Sequence, residues 1–317
     1  MSTAVAEVLR LQELRVQFPD ASGSSVVALD GISLAVERGE ALGIVGEPGS
    51  GKTLVALSVL GMVPPPGQVS GSIRLLGHEL VGMVEPEWWR VRGRDVAMVF
   101  PDARRSLNPI RTVGSQIAEA VDRHYEGYPY AMTRRWVRER TLEALAWAGV
   151  SRPRQRFGHY PHQLTGDLRQ RVMLALAGAN RPPLFIADEP TVGISDPVQA
   201  QVMLHLLRRV LGGAALILTT RDPGVAAAVC QRVIVIHLGR IVETGPTDRV
   251  MTSPRHPYTA ELLELTPRTG ATDVGRARPG CAFASRCPNA MEQCRRLRPP
   301  LELLEDRLVA CWNPWGS

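Results

Sequence analysis

The stretch ALGIVGEPGSGKT, Ala41 to Thr53, decides how this chain is read. Its closing run, Gly46, Glu47, Pro48, Gly49, Ser50, Gly51, Lys52 and Thr53, fits G-x-x-x-x-G-K-[ST], the pattern of a phosphate-binding loop. Upstream, ALGIVG has the continuous apolar character of a buried strand. Downstream, TLVALSVLGMV reads as an apolar helix that ends near PPPG. A glycine-rich turn between strand and helix aims backbone N–H groups at an anion, and the helix N-terminus adds its dipole. The 37 Lys and Arg side chains include a single lysine, Lys52, so 36 are arginine. Such depletion is consistent with GC-rich coding. The one position that resists it is the one where a compact ammonium on a flexible stem must reach phosphate oxygens, a task for which a planar guanidinium has the wrong shape.

Working outward, strand patterns recur on both sides. LRLQELRVQF and VVALDGISLAV are rich in branched apolar residues with partial alternation, and DASGSS lies between them as a turn cluster. Residues from about Asn108 to Gly178 look mostly helical. Within them, TRRWVRERTLEALAWAG offers Thr133 as an N-cap, then Val137, Leu142, Leu145 and Ala148 at near-helical spacing, with Gly149 as a stop. Strand signals return at PLFIADEP, GAALILTT and RVIVIHLG. Strands alternating with helices around such a loop predict an α/β fold with a mainly parallel, covered sheet.

Bulk properties narrow the class. With 317 residues the chain has room for two domains, or for one large α/β domain with an appendage. No run approaches the ~20 apolar residues of a membrane helix. MSTAVAEVLRLQEL lacks the basic and apolar regions of a secretory signal, which points to the cytoplasm. The net charge of +6 is spread over scattered arginines with no aromatic-interleaved basic stripe, so it reads as solubility and steering toward anions, with no nucleic-acid partner.

PLFIADEP supplies the second half of a nucleotide site. Leu184 to Ala187 form a buried strand that delivers Asp188 and Glu189. Asp188 would hold Mg2+ together with the Thr53 hydroxyl, and Glu189 would orient or deprotonate the attacking water. Two acids after an apolar run are weak evidence alone. They become strong when coupled to the upstream loop.

With these parts in hand, the chain resembles the ATP-binding subunit of an ABC transporter, in the oligopeptide/dipeptide/nickel importer group. The resemblance is carried by VRGRDVAMVF and SLNPIRTVGSQI around the Q-loop region, and by YPHQLTGDLRQRVMLALA where the LSGGQ signature and its helix belong. IADEPTVGISDPVQAQ covers Walker B and the D-loop, while VIVIHLGRIVETGPT and SPRHPYTAELLEL follow the ATPase core. It implies a P-loop NTPase of ABC ATPase type: a parallel sheet core, an antiparallel β subdomain and a helical subdomain. The implied boundaries are residues 1–250 for the nucleotide-binding domain, its helical part about 108–178, and 251–317 for a cysteine-containing extension. It also implies a head-to-tail dimer in which each ATP lies between the Walker motifs of one subunit and the signature of the other. Thr165 and Gly166 are then the signature contacts to phosphate. Phe18, on an early strand, is either the aromatic that stacks on adenine or a core residue.

Four positions depart from that family's pattern. Pro101 stands where the Q-loop glutamine belongs and has no side-chain amide. The signature reads LTGDL, so Asp167 replaces a glycine and brings a negative charge to a helix N-terminus. Ser195 stands at the D-loop aspartate position, with Asp196 one residue later. Arg221 replaces the switch histidine and cannot cycle protons near neutral pH. One reading is drift with retained activity. The sharper one is that the chain is the degenerate member of a heterodimeric ATPase pair, binding ATP firmly and hydrolysing it slowly.

Cys281, Cys287, Cys294 and Cys311 crowd the C-terminal end in the spacing C-x5-C-x6-C-x16-C. In a reducing compartment a metal or cluster outranks disulfides. The close C-x2-4-C pair of structural zinc is absent, and the spacing is not that of a ferredoxin. Cluster, zinc and bare thiols all stay open on spacing alone. The family resemblance favours a [4Fe–4S] cluster, because CAFASRCPNAMEQC with a late ACW is similar to that group's cysteine tail. Cys230 reads as an ordinary buried cysteine.

The sequence therefore predicts a peripheral ATPase subunit of an importer for peptides or related solutes, on the cytoplasmic face of the membrane, using ATP and Mg2+. Its expected partners are a second ABC ATPase subunit, two transmembrane permease subunits and an extracytoplasmic solute-binding protein. The rival readings are a nucleotide-responsive scaffold without hydrolysis of its own and a soluble ABC ATPase outside transport.

Overall fold

The computed structural model describes residues 7–19, 25–124, 133–192, 194, 196–210, 213–265 and 279–316. Ser195 and the DASGSS turn residues 20–24 lie outside the described residues. The chain divides into two compact units, Met1–Met83 with Ile217–Ser317, and Val84–Leu216.

The first unit opens with β1 (Glu7–Pro19) and β2 (Ser25–Glu37), an antiparallel pair. The imperfect alternation of LRLQELRV has a structural cause. Leu9, Leu11, Leu14 and Val16 are all buried, although Leu11 and Leu14 are three apart. A bulge centred on Glu13, whose φ is 49°, absorbs the extra residue and returns Leu14 to the core face. Next comes β3 (Ala41–Val45), buried at every position, and then α1 (Lys52–Val59). The helix is shorter than the apolar run that predicts it: Leu60 is its C-cap, and Met62 is exposed. β4 (Gln68–Leu75) pairs antiparallel with β1 and with the short β5 (His78–Glu79).

The second unit begins with α2 (Glu85–Val91) and β6 (Val96–Val99). It continues through α3 (Ala103–Ser106), α4 (Val113–Arg123), α5 (Arg134–Trp147), α6 (Pro153–Arg156) and α7 (Gly166–Gly178). β7 (Leu184–Asp188) then pairs parallel with β6, and α8 (Pro197–Val210) follows. Thr133 does cap α5, accepting from the Trp136 N–H at 3.3 Å. Its buried face is Thr141, Ala144, Leu145 and Ala148, whereas Val137 and Leu142 are half-buried. The polar Thr141 is admitted because its hydroxyl donates to the Val137 carbonyl at 2.8 Å. Helices approach closely through glycine: the Trp147 ring lies against Gly178, and the Phe157 ring against Gly114.

β8 (Ala215–Thr220) carries the chain back into the first unit, where α9 (Pro223–Val229) and β9 (Arg232–His237) follow. β9 pairs parallel with β3, Ile44 opposite Ile234. β10 (Arg240–Pro246) pairs antiparallel with β9 across Leu238 and Gly239, both at positive φ, the signature of a tight hairpin. Then come α10 (Thr247–Thr252), α11 (Pro257–Leu262), α12 (Glu292–Arg296), β11 (Glu302–Leu304) and β12 (Arg307–Val309). β12 pairs with β10 and β11, so the chain's end is built into this unit's sheet. Arg307 is 3% exposed and donates to the carbonyls of Arg249 and Ser253 beside the buried Glu243 carboxylate.

Candidate nucleotide site

β3 delivers Gly46 into a tight loop that ends at the N-terminus of α1. Here glycine is obligatory on packing grounds: a Cβ at Gly46 would meet the Ile236 carbonyl oxygen at 2.3 Å and Ser50 Oγ at 2.7 Å. Gly49 has φ +80° and nothing within 4 Å of where a Cβ would stand, so its backbone borders open space. Lys52 is buried to 5% exposure, and its Nζ donates to the carbonyls of Gly46 and Glu47, both at 2.9 Å. An ammonium anchored this way is held against the backbone of its own loop. Ser50 Oγ is buried with no hydrogen-bond partner among the described residues, a polar atom consistent with a bound anion's contribution. Pro48 and Thr53 are exposed.

Phe18, near the end of β1, is half-buried opposite Val26, with its ring against Gly67. It is not a core residue. Its ring is held by the turn at Pro64–Gly67, where Gly67 donates to Pro64. Arg221 follows β8 and is exposed. The buried Thr220 accepts from the Asp222 N–H, and Asp222 caps α9.

In the second unit, β7 ends on Asp188, which is fully buried. Glu189 is half-buried and adopts φ 46°, a left-handed conformation rare for glutamate. The following turn is tied down by Gln170 of α7, whose amide donates to the Pro190 carbonyl at 3.2 Å. Asp196 caps α8, accepting from the Val198 N–H at 2.8 Å. Pro101 lies in the bend after β6. At the start of α7, Gly166 is exposed, and the Thr165 hydroxyl donates to the Asp167 carboxylate in a short hydrogen bond. The hydroxyl expected to donate to a phosphate thus has an internal acceptor two residues away.

The cysteine tail belongs to the first unit. Cys281, Cys287, Cys294 and Cys311 line a single cavity of about 10 Å3, room for roughly one water-sized sphere, together with His256, Ala284, Asn289 and Trp312. Burial raises the thiol pKa values of Cys281, Cys287 and Cys311, Cys287 to about 11 and Cys311 to about 12, with neighbouring cysteines adding to the effect. The four residues converge on this one cavity. Among the described residues, however, no group of three or more His, Cys, Asp or Glu side chains is placed to hold a metal ion, so the expected cluster has no preformed ligand set. Cys230 is buried against Gly43 of β3, and burial pushes its thiol up to about 12, as befits an inert core cysteine.

The sequence reading missed the anchors beneath the loop. Tyr258, on α11, accepts the Glu47 N–H at 2.9 Å, and Arg286, in the cysteine segment, reaches the Glu47 carboxylate at 3.2 Å. SPRHPYTAELLEL marks a helix start through its proline, but nothing local in it announces a contact with residue 47.

A strand–loop–helix phosphate cradle, an acidic pair at a strand end and an antiparallel β subdomain define an ATP-binding cassette. The ABC transporter family profile matches residues 29–192, slightly more than half of the chain, and the profile of the oligopeptide/dipeptide transporter C-terminal region matches residues 242–294. The chain belongs to the ABC transporter family, and its C-terminal region to the oligopeptide/dipeptide branch. It is 38% identical over 97% of its length to the oligopeptide transport ATP-binding protein OppD of Mycobacterium tuberculosis, spanning 52% of that protein, about half its length. It is 40% identical to the dipeptide transport ATP-binding protein DppD of Haemophilus influenzae, covering 97% of this chain and 96% of that one. Among solved structures, the dimeric bacterial ABC transporter cassette MJ0796 superposes with a TM-score of 0.67 at 25% identity, over 75% of this chain and 98% of that one. Among the described residues no helix is long and apolar enough to cross a membrane.

Proposed function

We propose that the chain is the ATP-binding subunit of an importer for peptides or related solutes, and the degenerate half of a heterodimeric ATPase pair. In this reading Lys52 and the loop amides would bind the phosphates, Thr53 and Asp188 would each be a ligand for Mg2+, and Glu189 would orient water. Mg2+ would offset phosphate charge. The observation that carries the degenerate reading is the hydrogen bond from Thr165 to Asp167. It withdraws a signature hydroxyl and puts a carboxylate where the partner's ATP would dock. Pro101 and Arg221 add the loss of an amide and of a titratable ring. Its partners are a second ATPase subunit, two transmembrane permease subunits that it meets at the cytoplasmic face of the membrane, and an extracytoplasmic solute-binding protein. The similarity to peptide-transport subunits supports the solute class.

The four tail cysteines would hold a [4Fe–4S] cluster, a cofactor of structural or redox-sensing character. Their convergence on one cavity supports this. Loading requires the thiols to lose protons and the cavity to open. Iron and acid-labile sulfide analysis of anaerobically purified protein, with Cys294→Ser as control, tests it.

The function itself is tested by ATP turnover of the subunit alone and with its neighbouring ATPase, against Glu189→Gln. Binding of ATP with turnover of the pair unchanged by Glu189→Gln supports the degenerate role. Turnover that falls on that substitution makes this chain a working ATPase.

A further inference from the structure

Glu47 carries an unusual load for one residue of a phosphate loop. Its carbonyl accepts Lys52 Nζ at 2.9 Å and the Ser50 N–H at 3.1 Å, so its position sets both the ammonium and the turn. Its N–H is held by the Tyr258 hydroxyl at 2.9 Å, and its carboxylate by Arg286 Nη2 at 3.2 Å. Both anchors come from the C-terminal region, 211 and 239 residues away in sequence.

These anchors are themselves rigid. Tyr258 is 1% exposed, with its ring 4.2 Å from that of His237 and 5.5 Å from that of Phe283. The Arg286 guanidinium lies 5.2 Å from the Phe283 ring centre and also bonds Glu261 at 2.8 Å. Arg286 sits in the turn between Cys281 and Cys287, which is closed by N–H groups of Arg286 and Cys287 donating to the Phe283 carbonyl. The arginine side chain is 7% exposed and those of Glu261 and Glu47 are 4% and 19% exposed. Two carboxylates therefore share one buried guanidinium directly beneath the loop that takes a polyanion. Without that cation the Glu47 carboxylate would repel phosphate, and its attractive hold on the loop would be gone.

We infer that Arg286 and Tyr258 are positioning residues for nucleotide binding, through which the C-terminal cysteine segment holds the phosphate loop in its binding conformation. This rests on the reading of Gly46–Thr53 as the ATP phosphate site.

The test measures the Kd for MgATP by displacement of a fluorescent ATP analogue, on the full chain, for wild type, Arg286→Gln, Glu47→Gln and the double variant, with thermal melting alongside. Arg286→Gln should raise Kd by roughly tenfold or more, the scale of leaving a buried carboxylate without its partner. Glu47→Gln in the same chain should recover most of that loss, because it removes the charge that Arg286 neutralises. A role confined to general stability would show in the melting transition and leave the Kd of the folded protein unchanged. An Arg286→Gln Kd within about twofold of wild type, or a double variant no better than Arg286→Gln alone, overturns the inference. If Arg286→Gln does not fold, Tyr258→Phe is read in its place. It removes a single oxygen, and it should raise Kd with the melting transition little changed; an unchanged Kd overturns the proposal equally. Wild-type protein that binds no MgATP would refute the functional reading itself, a result distinguishable from any of these.

Discussion

Replacing Asp167 by glycine restores the small residue that the signature pattern calls for, and its effect can be worked from the structure. Asp167 lies in the first turn of α7, half-buried, and accepts a hydrogen bond from Thr165. Its carboxylate is favoured there by the helix dipole, worth about 0.3–1 kcal/mol, so Asp167→Gly should cost a few tenths to about 1 kcal/mol of stability. The gain is in nucleotide engagement. A carboxylate ~4 Å from a phosphate charge repels it by about 1 kcal/mol in water and about 4 kcal/mol at an effective dielectric of 20. A half-exposed position lies between those limits, nearer the lower one in salt. At ~1.4 kcal/mol per factor of ten, closure on the partner's ATP should tighten by roughly five- to a hundredfold. The Thr165 hydroxyl is released in the same step. The assay is ATP-driven association of this chain with its partner ATPase carrying a disabled catalytic glutamate, followed by size-exclusion chromatography over a range of ATP concentrations. Steady-state turnover of the unmodified pair is the second readout. Association and turnover unchanged by Asp167→Gly, at low as well as high ionic strength, would refute the claim that this carboxylate weakens the site.

Other substitutions probe separate parts of the molecule. Lys52→Arg keeps the charge but not the compact head that donates to Gly46 and Glu47. MgATP affinity should fall by about tenfold or more, and equal binding in a displacement titration would undo the argument from the lone lysine. A Cβ at Gly178 would stand 2.4 Å from Trp147 Cζ3, so Gly178→Ala should destabilise by about 1–3 kcal/mol in urea unfolding. Gly178→Ala combined with Trp147→Leu should recover part of that loss, and failure to recover would place the strain elsewhere. Burial, aided by nearby His237, lowers the His256 pKa from 6.5 to about 3. Between those values the unfolded chain binds a proton that the native ring refuses. Stability should then fall as pH drops below 6.5, by up to ~1.4 kcal/mol per pH unit, and stay level with respect to this group above it. The melting temperature of His256→Asn should decline less steeply over the same acid range; parallel declines would exclude His256 as the source.

Local chemistry was legible because it is contiguous in the chain. Ala41 to Thr53 holds strand, turn, lysine and helix start in one run, whereas the steric demand at Gly46 comes in part from the Ile236 carbonyl of a distant strand. Thr133 could be recognised as a cap for the same reason, since its partner is three residues away. The buried face of α5 was legible only in part. Thr141 replaces Leu142 on it because which arc of a helix is covered depends on the neighbours it meets. The bulge at Glu13, which turns an irregular hydrophobic pattern into a continuous core face, also needed the paired strand to be seen.

The sequence by itself determined that this chain carries a phosphate loop, an acidic strand end and four cysteines near its end, because each is a statement about residue type and spacing; the altered signature was legible through the family resemblance. Only the tertiary structure decided that the Thr165 hydroxyl is already given to Asp167, that the four cysteines line one cavity, and that Arg286 and Tyr258 reach back to Glu47. Side-chain direction and contacts between residues more than two hundred positions apart are set by how sheet and helices pack. Spacing along the chain carries no record of that packing.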